Sequence, residues 1–107
     1  MVGEQMKIRY TVHFADSLDS IIAYWQGQLK LSPKKVSEFT VHINRKIELL
    51  QHFTHYGQDV TELYGFDQKT YRILIGKSYG IFYRIDIHND MVIVGGIFCT
   101  TEMNVKF

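Results

Sequence analysis

The sequence predicts an α+β domain in the order β-α-α-β-β-β, an antiparallel-rich sheet with an N-terminal helical hairpin packed on one face. Three observations predict it. Residues 7–14 alternate between apolar and polar side chains. Two apolar stripes with spacings of three and four run through 18–29 and 36–50. After residue 70, three β-rich runs follow one another, broken only by short turns. Helices gathered ahead of the strands, rather than alternating with them, call for a sheet built from hairpins and covered on one side.

The first strand is expected over Lys7–Phe14, with Ile8, Tyr10, Val12 and Phe14 on one side and Lys7, Arg9, Thr11 and His13 on the other. Asp16 is the expected N-cap of the first helix, its carboxylate able to accept from the free N–H groups of the first turn. Leu18, Ile21, Ile22, Trp25 and Leu29 form that helix's stripe. Ser32-Pro33 starts the second helix: a capping hydroxyl, then proline where its missing N–H has no cost. Val36, Phe39, Ile43, Ile47 and Leu50 line its buried side. Residues 57–68 read as a polar loop. Strands at Tyr71–Gly76 and Gly80–Ile87 flank the turn Lys77-Ser78-Tyr79, and Asn89-Asp90 turns the chain into Met91–Phe98.

The 107 residues suffice for one domain, with 1–6 a short leader, 7–98 the core and 99–107 a tail. The net charge of +1 argues against a global electrostatic pull on nucleic acid. No apolar run approaches a membrane span, and the first ten residues lack an apolar signal region, so a cytoplasmic protein is expected. The single cysteine, Cys99, excludes an internal disulfide and a Cys-based zinc site. His52 and His55 stand three apart where the second helix ends, but nothing near them in sequence completes a ligand set. No metal or cofactor is expected.

Two cations lie inside the predicted sheet. In "YRILI" and "GIFYRID" the odd positions Tyr71, Ile73, Ile75, Ile81, Tyr83, Ile85 and Ile87 share the helix-covered face. Arg72, Leu74, Phe82, Arg84, Asp86 and His88 share the other. Pairing Gly76 with Gly80 would put Arg72 directly opposite Arg84, where two guanidinium groups repel unless an anion or acid lies between them. The face then has two readings. One is a solvated surface with Asp86 as the arginines' partner. The other is a docking surface for an anion or a protein.

The element order, the helix "SPKKVSEFTVHINRKIELL", the "TELYG" segment and the strands "YRILIGKSYGIFYRID" together resemble the RelE/ParE superfamily of bacterial toxins, over roughly residues 7–99. The resemblance implies the toxin of a type II toxin–antitoxin module, held by a cognate antitoxin. Two activities occur among such toxins: ribosome-dependent mRNA cleavage and poisoning of DNA gyrase. In the nuclease branch Arg72, Arg84, His88 and Lys77 are the candidate catalytic residues, since cleavage needs proton transfer and stabilisation of phosphate charge. The last strand departs from that branch. A basic residue common there is replaced at Gly95 or Gly96, and the place where histidine is often found is Cys99, expected as a small buried hydrophobe. The near-neutral charge and the two substantial helices favour the ParE-like branch and gyrase. A diverged, non-toxic antitoxin-binding module is the third reading. Arg72, Leu74, Phe82, Arg84, Asp86 and Ile97 are the expected partner surface, an apolar patch ringed by arginines. The sequence leaves open whether Lys106-Phe107 folds back over it to supply a cation and a ring.

Overall fold

A computed structural model describes residues 6–102, 105 and 107. The chain runs β1 (Lys7–Tyr10), α1 (Val12–Gly27), α2 (Pro33–Leu49), β2 (Gln58–Asp59), β3 (Tyr71–Ile75), β4 (Tyr79–Asp86) and β5 (Met91–Cys99). These strands form one sheet in the order β1-β5-β4-β3-β2. Every pairing is antiparallel except β1 with β5, which is parallel. The α+β class and the two helices on one sheet face agree with the sequence reading; the two-residue β2 was not foreseen.

The first strand is shorter than expected. Tyr10 ends it and Thr11 caps α1, its hydroxyl accepting from the Phe14 N–H at 3.1 Å and donating to the Gly95 carbonyl at 3.2 Å. Asp16 lies inside the helix, not at its cap. The reason is that Phe14, Leu18, Ile21, Ile22 and Trp25 make one continuous helical stripe, so burying Phe14 requires helix from Val12 onward. Val12, assigned to a buried strand face, is 76% exposed. The second helix begins as expected, with Ser32 accepting from the Lys35 N–H and Pro33 in the first turn.

Helix α1 packs on β5 and α2 on β3. Between them and the sheet lies one core, including Trp25, Ile43, Ile47, Leu50, Ile73, Ile75, Ile81, Tyr83, Val92, Val94 and Ile97. Trp25 donates its indole N–H to the Tyr79 hydroxyl at 2.9 Å, so the largest core side chain is buried without an orphaned donor. Tyr83 ties the α2–β2 connection to the sheet: its hydroxyl donates to the Thr54 carbonyl at 2.8 Å and accepts from the Gly57 N–H at 2.9 Å.

The β3–β4 hairpin turns through residues 76–78, with Gly76 at φ 60°, and pairs Ile75 with Tyr79. Arg72 therefore faces Phe82, not Arg84. The slip is two residues, so parity survives and both arginines remain on the face away from the helices. Arg84 extends the register opposite Thr70, and the two guanidinium groups are diagonal neighbours, which lessens the repulsion that direct opposition carries.

Candidate functional site on the arginine face

The face opposite the helices is not bare. Phe82, expected to be exposed there, is 2% accessible. The segment between β2 and β3 folds over it. Thr61 accepts from the Thr70 N–H at 2.9 Å and donates to Asp59 at 2.7 Å, closing the segment at its base, and Val60 is buried beneath it. The Thr61 bonds also hold the Asp59 carboxyl below its ordinary range. Tyr64 and Phe66 then lie over Phe82, the Tyr64 ring edge-on at 5.1 Å between centroids, with Phe98 closing the other side at 5.9 Å. Sequence reasoning missed Tyr64 and Phe66. Their only signal was two rings spaced i, i+2 in an otherwise polar loop.

The two arginines are held differently. The Arg72 stem lies flat across Gly80, where a Cβ would stand 2.8 Å from Cδ. Its terminal nitrogens donate to the Tyr64 hydroxyl at 2.9 Å and to Gln58 at 3.3 Å, while its Nε is buried without an acceptor among the described residues. Arg72 thus fastens the aromatic cover to the sheet. Arg84 donates from Nε to the Thr70 hydroxyl at 2.9 Å. Its guanidinium lies against two rings, with Cζ 5.6 Å from the Phe66 centroid and 3.9 Å from that of Phe107. Burial lowers its pKa and the charge of Asp67 partly opposes that, but a guanidinium remains protonated throughout. Phe107 folds back over the sheet, a placement the sequence left open; Lys106 lies outside the described residues.

Several expected members of the site are elsewhere. Ile97 is 1% exposed and belongs to the core under the helices. The cause is a bulge: Phe82 pairs with Gly96 but Tyr83 with Val94, so Gly95 is an extra residue and the parity of β5 reverses across it. Asp86 is not the arginines' partner, because its carboxylate accepts from the Asn89 backbone and side-chain amides at 3.2 and 2.8 Å, which also lowers its pKa. Leu74 is 48% exposed on the arginine face, as expected. Lys77 lies in the β3–β4 turn and His88 in the β4–β5 turn, at opposite ends of β4. Eight residues of strand separate those ends by roughly 25 Å at about 3.3 Å per residue. Cys99 is exposed rather than buried, and its thiol lies 3.3 Å from the Thr101 hydroxyl, a bond that lowers its pKa. It borders a hollow of about 420 Å³ between α1 and the end of β5, away from the arginines. Among the described residues no three His, Cys, Asp or Glu side chains converge as a metal site, and no helix is long and apolar enough to cross a membrane.

The arrangement can present one cation, Arg84, on an aromatic floor. Comparison of the sequence with protein-family models and with curated proteins gives no match. Comparison with solved structures does. A chain of the chromosomal ParDE TA system from P. aeruginosa superposes with a TM-score of 0.69 at 16% identity, covering 91% of this chain and 98% of that one. A chain of the toxin–antitoxin complex RelBE2 from Mycobacterium tuberculosis superposes with a TM-score of 0.58 at 18% identity, covering 89% and 98%. Two helices on a five-stranded mixed sheet, matched along nearly the whole of both chains, give this protein the RelE/ParE-like fold.

Proposed function

We propose that the chain is the toxin of a bacterial type II toxin–antitoxin pair, of the ParE-like kind, which arrests growth through a macromolecular target, DNA gyrase, and is neutralised by a cognate antitoxin on its arginine face. The observation that carries the reading is the arginine face itself. It holds a cation with no ion-pair partner among the described residues, set against the half-buried rings of Phe66 and Phe107, and the same face carries the half-exposed Leu74. That mixture of apolar floor and arginine is what protein interfaces use. The separation of Lys77 and His88, in turns at opposite ends of β4, supports the gyrase branch over a RelE-like, ribosome-dependent mRNA endonuclease. General acid–base cleavage needs its groups within hydrogen-bond reach of one scissile phosphate. Arg72 has both terminal nitrogens engaged, and Lys77 and His88 lie in turns at opposite ends of β4.

The test is induced expression in a bacterial host, with and without the neighbouring reading frame. Growth arrest with DNA damage and filamentation, relieved by co-expression, is the expected outcome. Rapid loss of translation with cut mRNA would replace gyrase by the ribosome. No arrest, with the neighbour still bound, would leave a non-toxic antitoxin-binding module. Arg84→Ala is expected to weaken arrest or antitoxin binding by more than tenfold while the protein stays folded; unchanged arrest and binding would remove Arg84 from the surface.

A further inference from the structure

The geometry points to Phe107 as a positioning residue that clamps the Arg84 guanidinium while its terminal nitrogens stay without a partner among the described residues, making this point of the sheet a receptor for a carboxylate on an acidic peptide. The inference rests on the reading of the arginine face as a docking surface. It names what that surface takes and what shapes it.

Three anchors hold Phe107. Its ring centroid is 3.9 Å from the Arg84 Cζ. The same ring lies on Gly95, where a Cβ would come within 2.5 Å of it, so the bulge glycine is the floor the ring needs. Its main-chain oxygen is 2.6 Å from the His13 Nδ1 on the first turn of α1. Phe66 stands by the same guanidinium at 5.6 Å, and the Nε–H is bonded to Thr70. Two rings thus lie against the Arg84 guanidinium, and its Nε–H is bonded. Neither terminal nitrogen has an acceptor or an ion-pair partner among the described residues. A guanidinium so held has lost rotamer freedom in advance and keeps two donor groups without a partner among the described residues, which suits recognition of a carboxylate.

An acidic peptide fits better than a nucleic acid. A nucleobase stacks on a guanidinium face, and two rings already stand against this guanidinium at 3.9 and 5.6 Å. A run of phosphates needs several unsatisfied cations, yet Arg72 is bonded to Tyr64 and Gln58, and Asp67 adds negative potential beside Arg84.

The experiment follows the Arg84 Nε–Hε resonance by NMR while the full chain is titrated with poly-L-glutamate, with inorganic phosphate and with a single-stranded oligonucleotide. Poly-L-glutamate is expected to shift the resonance saturably. Phe107→Ala is expected to weaken that binding about three- to tenfold, as is Phe107→Leu, which still fills the Gly95 floor but has no π face; Phe107→Trp retains it. A merely structural role for the ring would lower the melting temperature and leave the affinity alone, and would overturn the clamp. Tighter binding by Phe107→Ala would make the ring a competitor, and would also overturn it. So would the absence of any poly-L-glutamate shift in the unchanged protein, or a shift caused by the oligonucleotide or phosphate alone. Arg84→Ala separates the two levels: if it binds poly-L-glutamate as well as the unchanged protein does, the docking reading itself falls. If only the Phe107 variants are without effect, that reading stands and the clamp falls.

Discussion

Replacing Tyr83 by phenylalanine should loosen the α2–β2 connection without disturbing the core. The ring stays: it is fully buried and stacks on Tyr71 at 5.4 Å and 22°. Only the hydroxyl goes, and with it the bonds to the Thr54 carbonyl and the Gly57 N–H. Both backbone groups are half-buried, so water can reach them in part. The loss is therefore about 1–2 kcal/mol, the lower part of the range for stranded backbone groups. For a chain of 107 residues that lowers the melting temperature by roughly 5–15 °C. The pH dependence gives a second check. Burial pushes the Tyr83 phenol up to about 12 in the folded protein. A phenol whose folded pKa exceeds its unfolded value near 10 binds its proton more tightly when folded. Its contribution is whole below pH 10 and drains away as pH rises toward 12. Tyr83→Phe has no such proton to lose, so the stability gap between the two proteins should narrow over that window. Urea denaturation at pH 7 and at steps up to pH 12 measures both effects. A gap below about 0.5 kcal/mol at pH 7, or one constant through pH 12, would refute the reasoning.

Three further outcomes are expected. Thr11→Ala removes both the cap of α1 and the bond to the Gly95 carbonyl, and should cost about 1–2 kcal/mol in urea denaturation. Asp16→Ala, at an exposed helical position, should change stability by less than about 0.5 kcal/mol; a larger cost for Asp16 than for Thr11 would place the helix start wrongly. Tyr79→Phe leaves the buried Trp25 indole N–H without its acceptor and should cost about 1–3 kcal/mol, with an altered fluorescence spectrum from the chain's single tryptophan as the direct readout.

The parts legible in the sequence are those set by local chemistry. Ser32-Pro33 starts α2 because a hydroxyl and a proline act within one turn. The parity of Arg72 and Arg84 survived a two-residue slip in register because faces depend on odd and even alone. The start of α1 was not legible, since Ile8, Tyr10, Val12 and Phe14 satisfy a period of two while Phe14, Ile21 and Trp25 satisfy 3.6; only the packing of Phe14 against the sheet decides. Ile97 was misplaced because one extra residue, Gly95, turns over everything after it in β5, and a glycine in a strand does not announce whether it is a bulge. The cover of Tyr64 and Phe66 depends on Thr61 meeting Thr70 and Asp59, bonds that have no period to detect.

The same glycine decides what the arginine face can be. A side chain on Gly95 would have its Cβ 2.5 Å from the Phe107 ring, well inside contact distance. The resemblance to the nuclease branch implies a basic residue in this part of the last strand, and such a residue at 95 would project into the space where Phe107 now lies beside Arg84. A basic residue there and the ring are alternatives; one chain cannot hold both as placed. With the ring, Arg84 loses a second cation at its side and gains an aromatic wall. Two adjacent cations suit the spread charge of a phosphoryl transition state. One cation walled by rings suits a single carboxylate in a desolvated interface. The missing side chain at Gly95 is the condition that lets the Phe107 ring lie beside Arg84.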